Sequence, residues 1–229
     1  MSAPAARIAE SFNAAVAHYD RDRRILIPCF DDFYDAALAA LDGVLRPGSR
    51  VLDLGAGTGL MSALVRDRFH AVNFVLVDIA DALLARARER FGDSGAEFRV
   101  ADYTKADLGG PYDAIISGLS IHHLSDEDKR ALYARAFAAL KQGGVFVNAD
   151  QVLGATPSLE ARYRAQWLDA IRAKGATPEM IASAQERMKL DRMAPLRPQL
   201  DWLGEVGFSD VDCVYKNFSF AVMAGRKAA

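Results

Sequence analysis

Short apolar runs alternate with helical repeats of apolar positions along the middle of this chain. Val51, Leu52 and Leu54 form a run of the kind a parallel strand buries on both faces. Asn73–Asp78, Glu97–Val100, Tyr112–Ser117 and Val145–Asp150 are further runs, and each predicts a strand. Between them, Leu60–Val65 and Asp81–Phe91 predict helices. So does the repeat Leu132, Ala136, Leu140, with Tyr133 and Phe137 beside it. Ser125, with Asp128 three residues on, reads as the N-cap of that third helix, and Gly143-Gly144 as its end. Alternation of this kind implies a parallel sheet with right-handed crossovers.

The flanks follow other patterns. Ile8, Phe12 and Val16 lie at helical spacing between Ala5 and about Tyr19. Pro28 breaks the next stretch, Asp31 or Asp32 caps a helix through Leu38 and Leu41, and Arg46-Pro47-Gly48-Ser49 turns the chain into the first strand. Residues 1–45 therefore read as a helical lid, which places Tyr19, Arg24 and Phe30 near the mouth of the loop that follows the first strand. After Leu153, Thr156-Pro157 and Thr177-Pro178 each pair an N-cap with proline at the first helical position. Two helices, 158–174 and 178–190, follow with no strand between them, a helical cap insertion over residues 153–200. Pro195 and Pro198 frame a connection to Leu200–Val206. Val211–Tyr215 and Phe218–Met223 then close the chain as an antiparallel hairpin around Lys216-Asn217. The expected class is α/β and doubly wound, in a single domain of residues 1–229: lid 1–45, core 46–152, cap 153–200 and closing hairpin segment 201–229.

Candidate chemistry concentrates after the first strand. Gly55, Gly57 and Gly59 pass into a helix start, and strand, glycine turn, helix is the first unit of a nucleotide-binding sheet. The dinucleotide pattern is G-x-G-x-x-G, but Leu60 stands in place of its third glycine and Asp53 lies two residues ahead of the first. A carboxylate there repels a pyrophosphate docked on the helix N-terminus and attracts an ammonium or sulfonium. D-x-G-x-G-x-G therefore favours S-adenosylmethionine (SAM) over NAD. Asp78 ends the second strand about twenty residues later, where a carboxylate accepts from ribose hydroxyls; capping the next helix is its bland alternative. Asp102, with Tyr103 beside it, follows the third strand and suits an adenine amino group, against an ordinary loop aspartate. His122 and His123 follow the fourth strand, on the edge where open α/β sheets bind ligands. One of them is a candidate general base, the alternative being packing against the cofactor or capping.

Leu52–Gly59, Val77-Asp78, Ala101-Asp102-Tyr103, Asp113–Ser117, Leu140–Gly144 and the hairpin after Gly207-Phe208 together resemble the class I SAM-dependent methyltransferase family. That resemblance implies a Rossmann-like seven-stranded sheet with its last strand antiparallel. It also implies methyl transfer by in-line displacement to a small-molecule acceptor, with S-adenosylhomocysteine (SAH) released. By it, Gly55, Ala56 and Gly57 face the methionyl end, Asp78 the ribose, and Asp102 with Tyr103 the adenine. Ile79, Gly118 and Leu119 join the cofactor set, with Tyr19 and Arg24 toward the methionyl carboxylate. Tyr34, Tyr163, Trp167 and Arg187 form the acceptor set. A weaker resemblance, to carboxy-SAM synthases, rests on Ser11-Phe-Asn, His18-Tyr-Asp, Ile27-Pro28, Glu186-Arg187 and Tyr215–Phe220. In that branch a cap arginine holds the extra carboxylate, and Arg187 matches it approximately; an asparagine after the fourth strand also contributes, where this chain has Gly118.

Composition narrows the rest. A net charge of −2, with 28 Lys and Arg against 30 Asp and Glu, gives no general electrostatic reason to expect nucleic acid or an anionic membrane. Cys29 and Cys213 match no metal spacing, so the sequence expectation is two reduced packing residues and no metal. With neither a secretory leader nor a membrane-length apolar run, the expected location is cytoplasmic. A homodimer through the cap or the hairpin edge is an open expectation. So is a SAM-binding partner of tRNA modification without chemistry of its own.

Overall fold

The computed structural model describes Glu10 and residues 19–229, except for the side chains of Tyr19 and Arg21. The first predicted helix lies outside the described residues. Described are helices α1 (Tyr19–Leu26) and α2 (Phe30–Ala39), then β1 (Arg50–Leu54), α3 (Leu60–Arg68), β2 (Asn73–Asp78), α4 (Asp81–Phe91) and β3 (Glu97–Val100). There follow β4 (Tyr112–Gly118), a 3-10 turn at Ile121–His123, α5 (Asp126–Ala139) and β5 (Leu140–Gln151). The cap helices are α6 (Pro157–Ala173) and α7 (Pro178–Met188), and the chain ends with α8 (Leu196–Val206), β6 (Ser209–Asn217) and β7 (Phe220–Arg226). The seven strands form one sheet in the order β3-β2-β1-β4-β5-β7-β6, with β7 antiparallel to both neighbours. This is the doubly wound sheet the residue pattern predicts, with the seven strands and antiparallel last strand that the family resemblance implies.

Alternation along the strands explains why both faces are covered. Val51, Ala114, Ile116, Val145, Val147 and Val222 point into a core under α2, α3 and α4. Leu52, Leu54, Ile115, Phe146 and Met223 point the other way, against Leu132 and Tyr133 of α5 and Leu203 of α8. A fully buried Leu, Val or Phe side chain contributes roughly 1.5–3 kcal/mol, so these two layers supply most of the stabilisation that holds helices on both faces of the sheet. Ser125, Thr156 and Thr177 cap their helices through their hydroxyl oxygens, as expected.

Four local expectations need correcting. Helix α5 ends at Ala139, and Gly143-Gly144 lies within β5, where Tyr112 pairs Leu140 but Ala114 pairs Val145. The surplus residues bulge outward, and Gly143 takes the left-handed turn this demands (φ 75°). The final hairpin turns at Phe218-Ser219, not Lys216-Asn217, with Lys216 Nζ donating to the Phe218 carbonyl at 2.6 Å. Neither Asp31 nor Asp32 caps α2; its N-cap position is Cys29, which makes no side-chain cap. Pro198 sits in the first turn of α8, where its missing N–H has no helical acceptor to lose.

One buried cation ties the cap to the sheet. Lys129 Nζ, fully buried, donates to the carbonyls of Leu124 (2.6 Å) and Arg192 (2.5 Å) and to Asp126 (3.1 Å). Arg192 N also donates to the His122 carbonyl at 2.8 Å, and Leu153 N to the Ala194 carbonyl at 3.0 Å. The segment returning from the cap is thereby stitched to the loop after β4.

Candidate functional site

Two cavities meet at the carboxyl edge of the sheet. The first has a volume of about 870 Å³ and the second about 710 Å³, both counting space open to solvent. Arg23, Leu119 and His123 line both and form the wall between them.

The glycine loop makes the floor of the first cavity. Gly55 N and Ala56 N donate to the Val77 carbonyl at 2.8 and 3.1 Å, and Gly57 N to Asp78 Oδ2 at 2.8 Å. Asp78 Oδ1 accepts from Ala80 N at 2.8 Å, so one buried carboxylate braces both the loop and the start of α4. Gly55 has φ 70°, and a Cβ there would lie 1.8 Å from Ser120 Oγ. Only glycine meets both demands. Gly57 lies outside the cavity lining, with its N–H committed to Asp78.

Asp53 lies beneath this loop. Its Oδ2 accepts from Ser62 Oγ at 2.6 Å, while Oδ1 is buried with no hydrogen-bond partner among the described residues. Burial pushes this carboxyl up to about 7, with the neighbouring Asp78 charge adding to the rise and the Ser62 bond opposing it. The charge inferred from sequence is therefore conditional: near neutrality Asp53 is half protonated until a cation or donor meets Oδ1.

Asp102 Oδ1 accepts from Thr104 N (3.0 Å) and Thr104 Oγ1 (2.6 Å), and the Tyr103 hydroxyl meets Ser120 Oγ at 2.9 Å. Arg135 holds this loop from below through the carbonyls of Tyr103, Thr104 and Ala106. Ile79, Gly118 and Leu119 also line the first cavity. Leu119 is a non-glycine residue with φ 56°, strained backbone of the kind retained at functional sites, and its N–H is anchored to the Ala149 carbonyl at 2.8 Å.

The lid supplies different residues from those expected. Arg23 lines the cavities; Arg24, the sequence candidate, points to solvent and pairs with Asp31 at 2.8 Å, its side chain 61% exposed. Successive helical positions face about 100° apart, and here that step turns Arg23 toward the cavities and Arg24 to solvent. Tyr34, placed in the acceptor set from sequence, lines the first cavity. Phe30 stands behind it, ring centroids 4.8 Å apart, with Arg24 over its other face. The Tyr19 side chain lies outside the described residues.

The second cavity gathers the histidines, Arg187 and Trp167. His122 Nδ1 is 2.5 Å from Asp150 Oδ1, and His122 N donates to Asp150 Oδ2 at 2.9 Å. On the other side, His122 Nε2 is 3.5 Å and His123 Nδ1 is 3.2 Å from Asp191 Oδ1. Burial opposes charge on His122, but Asp150 and Asp191 outweigh it and raise the ring to about 10. His123 moves the other way: burial and the adjacent His122 lower it. Burial also works against the Asp191 carboxylate, yet the two histidines bring its titration below the usual range. Arg187 donates to Ser183 Oγ at 2.8 Å, and Trp167 Nε1 donates to the Leu26 carbonyl at 2.9 Å, latching the cap to the lid. Tyr163 lies apart from this cavity, receiving Lys216 Nζ at 2.9 Å beside the Phe218 ring.

Sequence reasoning missed Arg23, Ser120, Asp150 and Asp191. Asp150 was findable: it ends the fifth predicted strand, beside the fourth, whose end leads into the histidine pair. Asp191 left no signal, because the cap's return path brings it in.

Comparison with known proteins agrees with this architecture. The model of the methyltransferase domain family matches residues 51–144. The carboxy-S-adenosyl-L-methionine synthase of Chromohalobacter salexigens is 28% identical over 93% of this chain and 85% of its own length. Two solved structures share the fold. A chain of the complex between the Haloferax volcanii Trm112 methyltransferase activator and a methyltransferase has TM-score 0.68 and 17% identity, over 95% of this chain and 98% of that one. Haemonchus contortus phosphoethanolamine N-methyltransferase 2, solved with SAM, has TM-score 0.61 and 17% identity, over 85% of this chain and 53% of that one.

Proposed function

The chain belongs to the SAM-dependent methyltransferases, and on that premise we propose that it binds SAM in the first cavity and methylates a small molecule held in the second. The observation that carries this reading is Asp53 Oδ1, a buried carboxylate oxygen with no partner among the described residues, in the lining of a cavity floored by the glycine loop. An ammonium group supplies what that oxygen lacks. The remaining lone pairs of Asp78 suit ribose hydroxyls, and Asp102 with Tyr103 suits the adenine end. Arg23, in the position sequence gave to Arg24, suits the methionyl carboxylate. SAM supplies a methyl group already activated on a positive sulfur.

The work left to the chain is mainly positional. Leu119, held by its anchored backbone, and Arg23 set the passage between the cavities, so an acceptor in the second cavity meets the first along one direction. Alignment of this kind can supply about 7–11 kcal/mol of a barrier. An acceptor that enters protonated must also lose a proton, and of the two sequence candidates only His123 stands on the shared wall. His122 is confined to the second cavity between two carboxylates.

Calorimetry with SAM, SAH and NAD tests the reading. Micromolar binding of the first two without NAD is expected, and NAD binding without SAM overturns it. A second reading, synthesis or use of carboxy-SAM, is favoured by the length of the Chromohalobacter match and by Arg187 lining the second cavity. Gly118, where that branch carries an asparagine, weighs against it. Mass spectrometry of ligand carried through purification separates the two, because carboxy-SAM is heavier by a carboxyl group. SAM binding with no SAH formed from any acceptor would instead indicate a binding protein.

A further inference from the structure

We propose that His122, His123 and Asp191 form a binding site for a divalent transition-metal ion of the zinc class, open toward the second cavity. One donor atom from each of the three lies within 4.8 Å of the other two. Metal–ligand bonds of about 2.1 Å at octahedral or tetrahedral angles separate neighbouring donor atoms by roughly 3.0–3.4 Å. The His122–Asp191 and His123–Asp191 distances, 3.5 and 3.2 Å, already match that spacing. A small rotation of the His123 imidazole, whose ring centroid stands 4.0 Å from that of His122, completes the polyhedron.

The surroundings are those of a ligating histidine. Asp150 grips His122 at Nδ1 and at its backbone N–H, which fixes the ring and presents Nε2 to Asp191. A carboxylate behind an imidazole in this way orients metal ligands and raises their basicity. Asp191 is equally constrained. The next residue, Arg192, donates its N–H to the His122 carbonyl and gives its own carbonyl to Lys129, so the segment returning from the cap is held beside the histidines. Gln151 and Asp22 line the same cavity and offer further oxygen atoms nearby. Two nitrogens and one carboxylate suit zinc-class ions better than magnesium or calcium, which take oxygen donors.

Three protein ligands facing a cavity leave positions for water or for an oxygen of the bound small molecule. Only this last role, holding an acceptor's hydroxyl or carboxylate oxygen, rests on the methyl-transfer reading; ion binding does not. The competing occupant is a proton on His122, shared between Asp150 and Asp191.

Titration of chelator-treated protein with cobalt(II), followed by its visible d–d absorption, and with zinc by calorimetry decides between them. One equivalent of each ion is expected, with Asp191→Asn and His123→Gln each weakening binding at least 100-fold. Asp150→Asn leaves all three ligands in place and is expected to weaken it about 10–100-fold. A retained cooperative thermal transition shows that each variant is folded, and SAM titration of the same samples reports the first cavity separately. The absence of stoichiometric binding to the unaltered protein overturns the proposal. So does binding that is unchanged in both Asp191→Asn and His123→Gln, since the ion would then lie elsewhere.

Discussion

The two cavities share a wall and differ in how they are built. Groups in the first are set mostly by backbone: Gly55 and Ala56 bond the Val77 carbonyl, and Asp78 is pinned by two amides. The second is assembled from side chains that reach in from separate elements: His122 from the turn after β4, backed by Asp150 of β5, Asp191 from the cap, Arg187 from α7 and Trp167 from α6. A sheet edge fixes positions at no side-chain entropy cost, whereas each long side chain in the second cavity must be held by its own partner. The first cavity is therefore suited to a constant ligand. The second can change its ligand by exchanging a few side chains without disturbing the fold.

Variants can break this contrast, and the largest effect is expected at Gly55. Its Cβ would strike Ser120 at a left-handed backbone position, so Gly55→Ala should weaken SAM binding by about 100-fold, near 2.7 kcal/mol. Cobalt binding in the second cavity should survive. Loss of both would show that the cavities are not separable. Next comes Lys129→Ala, which strips the carbonyls of Leu124 and Arg192 of their charged donor. A cost of about 2 kcal/mol and a fall of roughly 4–8 °C in Tm are expected. Hydrogen exchange should rise around residues 190–195 and not in the glycine loop.

Asp53 gives a smaller, pH-dependent effect. If SAM needs the ionised carboxylate, a group titrating at about 7 makes affinity rise about tenfold from pH 6 to pH 8. Asp53→Asn should flatten that profile. Without ligand the sign reverses. A carboxyl raised in the folded state contributes stability that is complete below the unfolded value of 3.8 and is lost as pH climbs through about 7. The unliganded wild type should therefore lose Tm between pH 5 and 8, and Asp53→Asn should lose less. Smallest is the Arg23 and Arg24 pair. Arg23→Ala should weaken SAM binding about tenfold, or 1.4 kcal/mol, while calorimetry on Arg24→Ala should match wild type. Equal losses would reject the assignment of helix faces.

The same contrast explains what the sequence disclosed. The strands and both core layers were legible from the apolar runs at Val51–Leu54 and Ala114–Ile116, because a sheet covered on two sides leaves continuous apolar runs. The placement of Asp53, Asp78 and Asp102 in the first cavity was legible because all three lie within two residues of a strand's end, where position is set by local geometry. The choice of Arg23 over Arg24 was not, since that depends on the rotation of a short helix packed by its neighbours. Asp191 was invisible because long-range chain return has no local pattern. Tyr34 moved from the acceptor set to the first cavity for the same reason: tertiary packing of α2, not spacing, decides which wall it joins.

The Trp167–Leu26 hydrogen bond has a mechanical consequence. It joins the end of α1, whose Arg23 walls both cavities, to α6 of the cap, so displacing either helix strains the other. A single hydrogen bond of this kind contributes about 1 kcal/mol, enough to bias the two helices to move together. The chain contains two tryptophans; the other, Trp202, packs on the opposite core. With Trp202 replaced by phenylalanine, the fluorescence of Trp167 reports directly on whether this latch is made.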